Sequence, residues 1–278
     1  MQQISFVILH YKVQEITEKC IDLLIKQNYD NYQIIIVDNF SDNGSAERLK
    51  DKYKGNKRID IIFLERNYGF AKGNDIGYLI AKYKYGAEII VVMNNDVLIE
   101  DMSFCMRLQD KYSHTDYGVI GPDIIGMNGN HQNPLTNYIR TYKQAQKIVF
   151  TQRIKSAILK ITKPKKKKMR ALTETNDKYY YSTSNVPLHG SCVIFTNKFI
   201  QNNEYAFFPD TFLYAEEEIL YYQCLRRRIP TYYDSELKVL HLEDATANAI
   251  QGVYWKKRAF ELDNSTKSIQ HLIRLLKE

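Results

Sequence analysis

The chain has 278 residues, 44% hydrophobic and 26% charged, with a formal net charge of +7; that length suits one large α/β domain and leaves little room for two. Four scattered cysteines (Cys20, Cys105, Cys192, Cys224) without CxxC spacing argue against a disulfide framework or a zinc site. No apolar run approaches the roughly 18–20 residues that cross a bilayer, and the start lacks a signal-peptide pattern, so a cytoplasmic location is expected.

Residues 4–9 (ISFVIL) form a first apolar run, and apolar positions at helical spacing predict a helix over 13–26. A second run, Ile34–Val37, ends in the turn formers Asp38, Asn39, Ser41, Asp42 and Gly44. A third, Ile59–Leu64, leads into a polar, glycine-containing stretch, 66–75, followed by a helical pattern over 74–84. The fourth, in IIVVMNNDV (89–97), ends in Asn94, Asn95 and Asp96. Strands alternating with helices predict a parallel sheet with crossover helices. Polar groups following its strands fall at the edge where open α/β sheets bind ligands. Asp96 is there a hard oxygen ligand suited to Mg²⁺ or Mn²⁺, or a turn residue.

Charge is uneven. Residues 138–170 hold twelve Lys and Arg and no Asp or Glu, leaving 27 basic and 32 acidic residues elsewhere. Ile148, Val149, Ile154, Ile158, Leu159 and Ile161 give this segment an apolar face at near-helical spacing. Two readings stand: a surface that docks on anionic lipid, or a solvated helix followed by a lysine-rich loop. Nucleic acid is not expected, because interleaved aromatics and a recognisable binding module are missing. Farther on, Glu216, Glu217 and Glu218 open a helical pattern, either as a base cluster or as acids favoured by the helix dipole. The tail from Val253 to Glu278 reads as a helical extension that packs on the domain, a partner subunit or a membrane.

Six segments in order carry a resemblance: FVILHYK, IIIVDNFSDNGS, RNYGFAKGND, MNNDV, FLYAEEEILYYQCLR and YYDSELKVLHLEDA. Together, over Gln3 to about Thr246, they resemble family 2 glycosyltransferases of the GT-A fold, in particular bacterial rhamnosyltransferase-type enzymes. The resemblance implies an α/β fold with a mostly parallel central sheet flanked by helices. It also implies a catalytic domain over 1–250 with a basic insertion at about 127–186, followed by the extension 251–278.

The implied activity is inverting, metal-dependent transfer of a sugar from a UDP- or dTDP-sugar donor to a glycan or lipid-linked oligosaccharide acceptor. The implied setting is bacterial capsule, O-antigen or cell-wall assembly, on or near the inner face of the plasma membrane. By the same resemblance Asp38 contacts the base, where a pyrimidine imide N–H fits a carboxylate, and backbone at His10 and Tyr11 lines the crevice. Asp42 is then the better candidate for the turn. Asn67, Gly69 and Asn74 shape the donor pocket, with Gly69 and Gly73 allowing backbone to approach the ligand, and Arg66 meets phosphate. Gly190 and Ser191 lie beneath the sugar.

Asp96 and His241 hold Mn²⁺ or Mg²⁺, while Asn94, beside Asn95, stands where the family has its first carboxylate and turns to ribose or a metal-bound water. Glu217 is the catalytic base, with Glu216 next, and Ile219 replaces a usual Asp. One base without a candidate nucleophile implies single displacement. Those two departures keep a second class open, a non-catalytic relative that binds nucleotide or membrane.

Overall fold

Val- and Ile-rich runs become strands because both sheet faces are covered, so their side chains are buried in either direction. The computed structural model describes residues 1–136, 138, 141–164, 177–242 and 254–277. In chain order these form β1 (Ile4–His10), α1 (Gln14–Leu24), β2 (Tyr32–Asp38), α2 (Ser45–Lys52), β3 (Ile59–Phe63), α3 (Gly69–Tyr83), β4 (Ile89–Asn94) and β5 (Val97–Leu98). There follow α4 (Phe104–Tyr112), β6 (Val119–Gly126), α5 (Tyr142–Thr162), β7 (Thr183–Ser184), β8 (Cys192–Thr196), α6 (Asn197–Ile200), α7 (Glu216–Arg227), β9 (Thr231–His241) and α8 (Tyr254–Leu275).

The sheet runs β3-β2-β1-β4-β8-β6-β9-β5, with β7 on β9. Strands β1 to β4 pair in parallel, as do β6 and β9, whereas β8 runs antiparallel to both of its neighbours. Alternation along β1 sends Phe6 and Ile8 into a core under α1, α2 and α4, and Val7 into a second core under α3, α6 and α7.

The helix expected over 74–84 begins earlier, at Gly69. Its glycines serve packing against protein. A Cβ on Gly73 would meet Leu9 at 2.6 Å, and one on Gly77 would meet Val7 at 2.3 Å. Both therefore let α3 lie close on β1. Gly69, at φ +81°, sits against the Phe212 carbonyl, 2.2 Å from where its Cβ would be, and Phe70 N donates to the same oxygen at 2.7 Å. Gly73 and Gly69 thus make close approaches to β1 and the 212 loop. The sequence could not show this, because loop glycines and packing glycines look alike without a partner.

Helices α5 and α8 pack side by side. Thr141 caps α5 by accepting from Gln144 N, and Asp263 receives Ser156 Oγ and Lys160 Nζ, both at 2.6 Å. Ser268 Oγ donates to the Leu213 carbonyl and Tyr222 OH to that of Leu275, which tie α8 to α7 and the loop before it. The C-terminal helix therefore packs on its own chain. The apolar face read for residues 148–161 divides in two. Ile148 and Val149 pack toward α8, whereas Ile154, Ile158 and Ile161 point outward with Phe150.

Candidate active site

Strand register does most of the assembly. Leu9 pairs with Asn94 and His10 with Asp38, so the polar ends of β2, β1 and β4 lie side by side. Asn94 N donates to the Ser191 carbonyl at 2.8 Å, bringing the start of β8 to the same edge. His241 ends β9 opposite Val97, and Leu242 N donates to the Asp96 carbonyl at 2.9 Å. Two residues 145 positions apart thus meet because β9 pairs with β5.

Their geometry has one unmet need. His241 Nε2 lies 3.3 Å from Asp96 Oδ1, yet that oxygen is buried and receives no hydrogen bond from the described residues. His241 Nδ1 lies 2.7 Å from Gln132 Oε1. An amide oxygen only accepts, so Nδ1 donates to it, and a neutral imidazole then turns its Nε2 lone pair toward Asp96. Two such atoms turned together in a buried site are answered by a proton on Nε2 or by a shared cation. Cis ligands of an octahedral ion at about 2.1 Å stand about 3 Å apart. The donor set, one carboxylate and one imidazole braced by an outer-shell oxygen, fits Mn²⁺ or Mg²⁺. No group of three or more His, Cys, Asp and Glu side chains converges among the described residues, so the ion would need further ligands from substrate and water.

An open cavity of about 890 Å³ lies alongside, bounded by Asn94, His189, Gly190, Ser191, the 213–218 segment and residues of α5 and α8. The His189 ring links the two regions, with its centroid 6.0 Å from that of His241. Tyr214 and Ala215 both have positive φ, 70° and 67°. This left-handed pair costs about 1–2 kcal/mol per residue and swings the first turn of α7 toward the cavity. Glu217 Oε1 accepts from Gly190 N at 3.2 Å, and a Cβ at Gly190 would stand 2.8 Å from that oxygen. Here a glycine allows backbone to reach a carboxylate.

The three glutamates line the cavity but differ in environment. Glu216 is 3% exposed with Oε1 unpartnered, and burial, reinforced by the charge of Glu217, pushes its carboxyl up to about 8. Glu218 is pushed up to about 7 by the protein packed around it, again with Glu217 contributing. The Glu216 value gives a signed expectation. The folded state binds a proton that the unfolded state releases above about 4.5, so stability falls as pH rises from there to about 8. Glu216→Gln removes that cost. In thermal unfolding it should be stabilised over the parent by about 2–4 kcal/mol at pH 8, with the gap closing toward pH 5. A gap independent of pH would refute the assignment.

The remaining sequence-selected residues lie outside this cavity lining. The His10 ring is fully buried between Thr17 Oγ1 and Ser45 Oγ, at 2.8 and 2.9 Å, and burial holds it down at about 4. Asn95, 3% exposed, donates to the same Thr17 hydroxyl at 2.9 Å. Their side chains brace the strand ends from beneath, which a reading of strand-end polarity does not distinguish from lining a crevice. Tyr11 lies beside Lys12, whose ammonium is 5.1 Å from the ring centre. The Asp38 carboxylate accepts from Ser41 N, and burial raises its pKa. Asp38 therefore makes the turn expected of Asp42, which instead pairs with Lys12 at 2.7 Å.

Asn67 Oδ1 accepts from Gly69 N and from Asn39 Nδ2, while Asn39 Oδ1 takes Tyr68 N. Asn74 donates to the Phe70 carbonyl and keeps a buried, unpartnered Oδ1. Arg66 lies over the Tyr68 ring at 4.7 Å. Asp75, pushed up to about 7 by burial, accepts from Ala206 N and Phe207 N. Gln132 and the α5–α8 wall had no signal in the sequence, since only tertiary pairing brings them here.

A parallel sheet edge with a carboxylate–imidazole pair beside a cavity lined by further carboxylates lies where open α/β sheets bind their ligands. The chain belongs to glycosyl transferase family 2, whose model matches residues 5–183. It is 29% identical over 110 residues to glycosyltransferase GlyG of Streptococcus pneumoniae, covering 39% of this chain and 36% of that protein. It is also 29% identical over 115 residues to the dTDP-rhamnosyl transferase RfbF of Shigella flexneri, covering 41% and 37%. The putative teichuronic acid biosynthesis glycosyltransferase TuaG of Bacillus subtilis is 25% identical over 122 residues, covering 43% and 48%. The matches thus span less than half the length of each relative.

Among solved structures, S. aureus TarS 1-349 in complex with UDP-GlcNAc superposes with a TM-score of 0.56 at 14% identity, covering 87% of this chain and 58% of that one. The mannosyltransferase PcManGT of Pyrobaculum calidifontis, in complex with GDP-Man and Mn²⁺, gives 0.56 at 10% identity, covering 98% and 70%. The fold is that of the GT-A glycosyltransferases, a mixed, mostly parallel sheet flanked by helices.

Proposed function

We propose that the protein is an inverting glycosyltransferase that uses Mn²⁺ or Mg²⁺ to move a sugar from a UDP- or dTDP-sugar to a hydroxyl of a bacterial surface glycan. The observation that carries this reading is the unbonded Asp96 Oδ1 facing His241 Nε2 beside the cavity that Glu217 enters. Asp96 and His241 would hold the ion, which supplies positive charge to the diphosphate leaving group. Gln132 keeps the His241 lone pair turned inward. Asp38 lies two strand spacings from Asn94, about 10 Å, a span that suits a base at one end and a diphosphate at the other. Asn94 at the cavity edge is then placed for ribose or sugar hydroxyls.

Glu217 takes the acceptor's proton. Gly190 N–H fixes one of its oxygens, and the raised pKa values of Glu216 and Glu218 keep neighbouring negative charge low near neutral pH. Single displacement follows from one base without a placed nucleophile. The surface-glycan setting draws on the relatives, one described as a dTDP-rhamnosyl transferase and one as a putative teichuronic acid biosynthesis enzyme.

Calorimetric titration with UDP, dTDP and GDP, each with and without Mn²⁺, followed by donor hydrolysis, tests the reading. Expected is metal-dependent binding of UDP or dTDP well ahead of GDP, with slow hydrolysis of the matching sugar donor. Tight nucleotide binding with no turnover of any donor would instead mark a non-catalytic relative.

A further inference from the structure

Helix α5 has two apolar faces. One packs on α8 and walls the cavity through Gln144, Ile148 and Gln152. On the other, Phe150, Ile154, Ile158 and Ile161 follow at intervals of four, four and three residues, so they form one stripe about 16 Å long. Their exposures are 67, 44, 52 and 80%. Four large apolar side chains in one exposed row are unusual on a water-facing helix. Lys143 and Lys147 continue the stripe toward the N-terminus, Arg153 flanks it, and the helix contains no carboxylate. Beside it, a shallow groove of about 440 Å³ between α5 and α8 sets Phe150 and Ile273 under Arg153, Arg274 and Lys277.

We propose that this face of α5 docks on an anionic lipid surface, with the stripe entering the acyl boundary and the cations meeting headgroup phosphates. Charge selects the occupant. A second copy pairing through the same face would bring lysines and arginine against each other without a carboxylate from α5 to answer them. A nucleic acid would satisfy the cations and leave three isoleucines in water. An anionic bilayer satisfies both halves at once. No helix among the described residues is long and apolar enough to cross a membrane, so the contact is peripheral. Because α8 and the cavity brace the opposite face, docking would hold the cavity beside the lipid surface. Docking of α5 is independent of the transfer reaction.

The test is sedimentation of the full chain with phosphatidylglycerol-containing and pure phosphatidylcholine vesicles, at low and high salt. Expected is binding to the anionic vesicles only, falling about tenfold or more when salt rises from about 0.1 to about 0.5 M. The combined variant Phe150→Gln, Ile154→Gln, Ile158→Gln and Ile161→Gln, changed only at exposed positions, should keep its Tm and lose about tenfold or more in partitioning. Lys143→Glu with Lys147→Glu should lose the preference for anionic lipid. Failure of the parent chain to bind anionic vesicles, or equal binding to both vesicle types, overturns the proposal. So does a concentration-dependent dimer that the stripe variant abolishes, in the absence of vesicle binding.

Discussion

Asp96→Ala is expected to abolish Mn²⁺-dependent nucleotide binding and to lower sugar transfer by about a thousandfold or more, equivalent to about 4 kcal/mol of lost stabilisation. The reason lies in the geometry around one oxygen. Asp96 Oδ1 is buried, receives no hydrogen bond from the described residues and faces Nε2 of an imidazole whose Nδ1 is held by Gln132. Removing the carboxylate leaves His241 as the remaining member of that pair, and a lone imidazole is a poor holder of a hard cation. The same geometry predicts that folding survives. A buried carboxylate with an oxygen that accepts no hydrogen bond among the described residues contributes little to stability and its removal can add some, so the melting temperature of the metal-free variant should match or exceed the parent's. Calorimetry with UDP and dTDP, with and without EDTA, reads the first effect, and thermal unfolding reads the second. Nucleotide binding that EDTA leaves unchanged in the parent chain would remove the cation from the reaction.

Glu217→Gln should leave nucleotide affinity within about twofold while transfer falls by about 10²–10⁴, the range typical of a lost general base. The amide introduced there would keep an oxygen for Gly190 N–H, so the contact that positions the side chain persists. Only the capacity to take a proton is lost. Glu216→Gln serves as the comparison. Its carboxyl is raised to about 8 and would hold its proton at neutral pH, so the amide should retain most activity there. Steady-state rates of both variants between pH 6 and 9 separate the two. If Glu217→Gln transfers normally and Glu216→Gln does not, the base is Glu216.

Much of the fold could be read from local pattern. The runs at 4–9, 34–37, 59–64 and 89–94 are apolar over lengths that suit strands, and the turn formers after Val37 mark an edge. The glycines of 66–75 show their packing partners only in the fold. Their need for small side chains comes from Leu9 and the Phe212 carbonyl, partners supplied by other parts of the chain. The basic segment misled in part. Its apolar residues look like one face at low angular resolution, and only the packing of α8 divides them into an inward and an outward row.

Within the candidate site, residue types were legible and connections were not. A polar group at the end of a strand has two directions open to it. His10 and Asn95 turn into a buried hydrogen-bonded chain through Thr17, while Asn94 turns to the cavity. Asn94 ends β4 and Asn95 opens the turn after it, but which of them meets the cavity depends on what covers each side. Gln132 was invisible because its relation to His241 arises from the pairing of β6 with β9.

The sequence alone determined the alternating strands and helices, the edge on which polar residues collect, and the family, since local periodicity and ordered motifs are properties of the chain itself. Tertiary structure decided which of those polar groups face one another. It brought His241 to Asp96 through strand pairing and Gly190 to Glu217 through a left-handed turn, and it walled the cavity with two helices far apart in sequence. Such contacts depend on register and packing between distant segments, and no local stretch of residues encodes them.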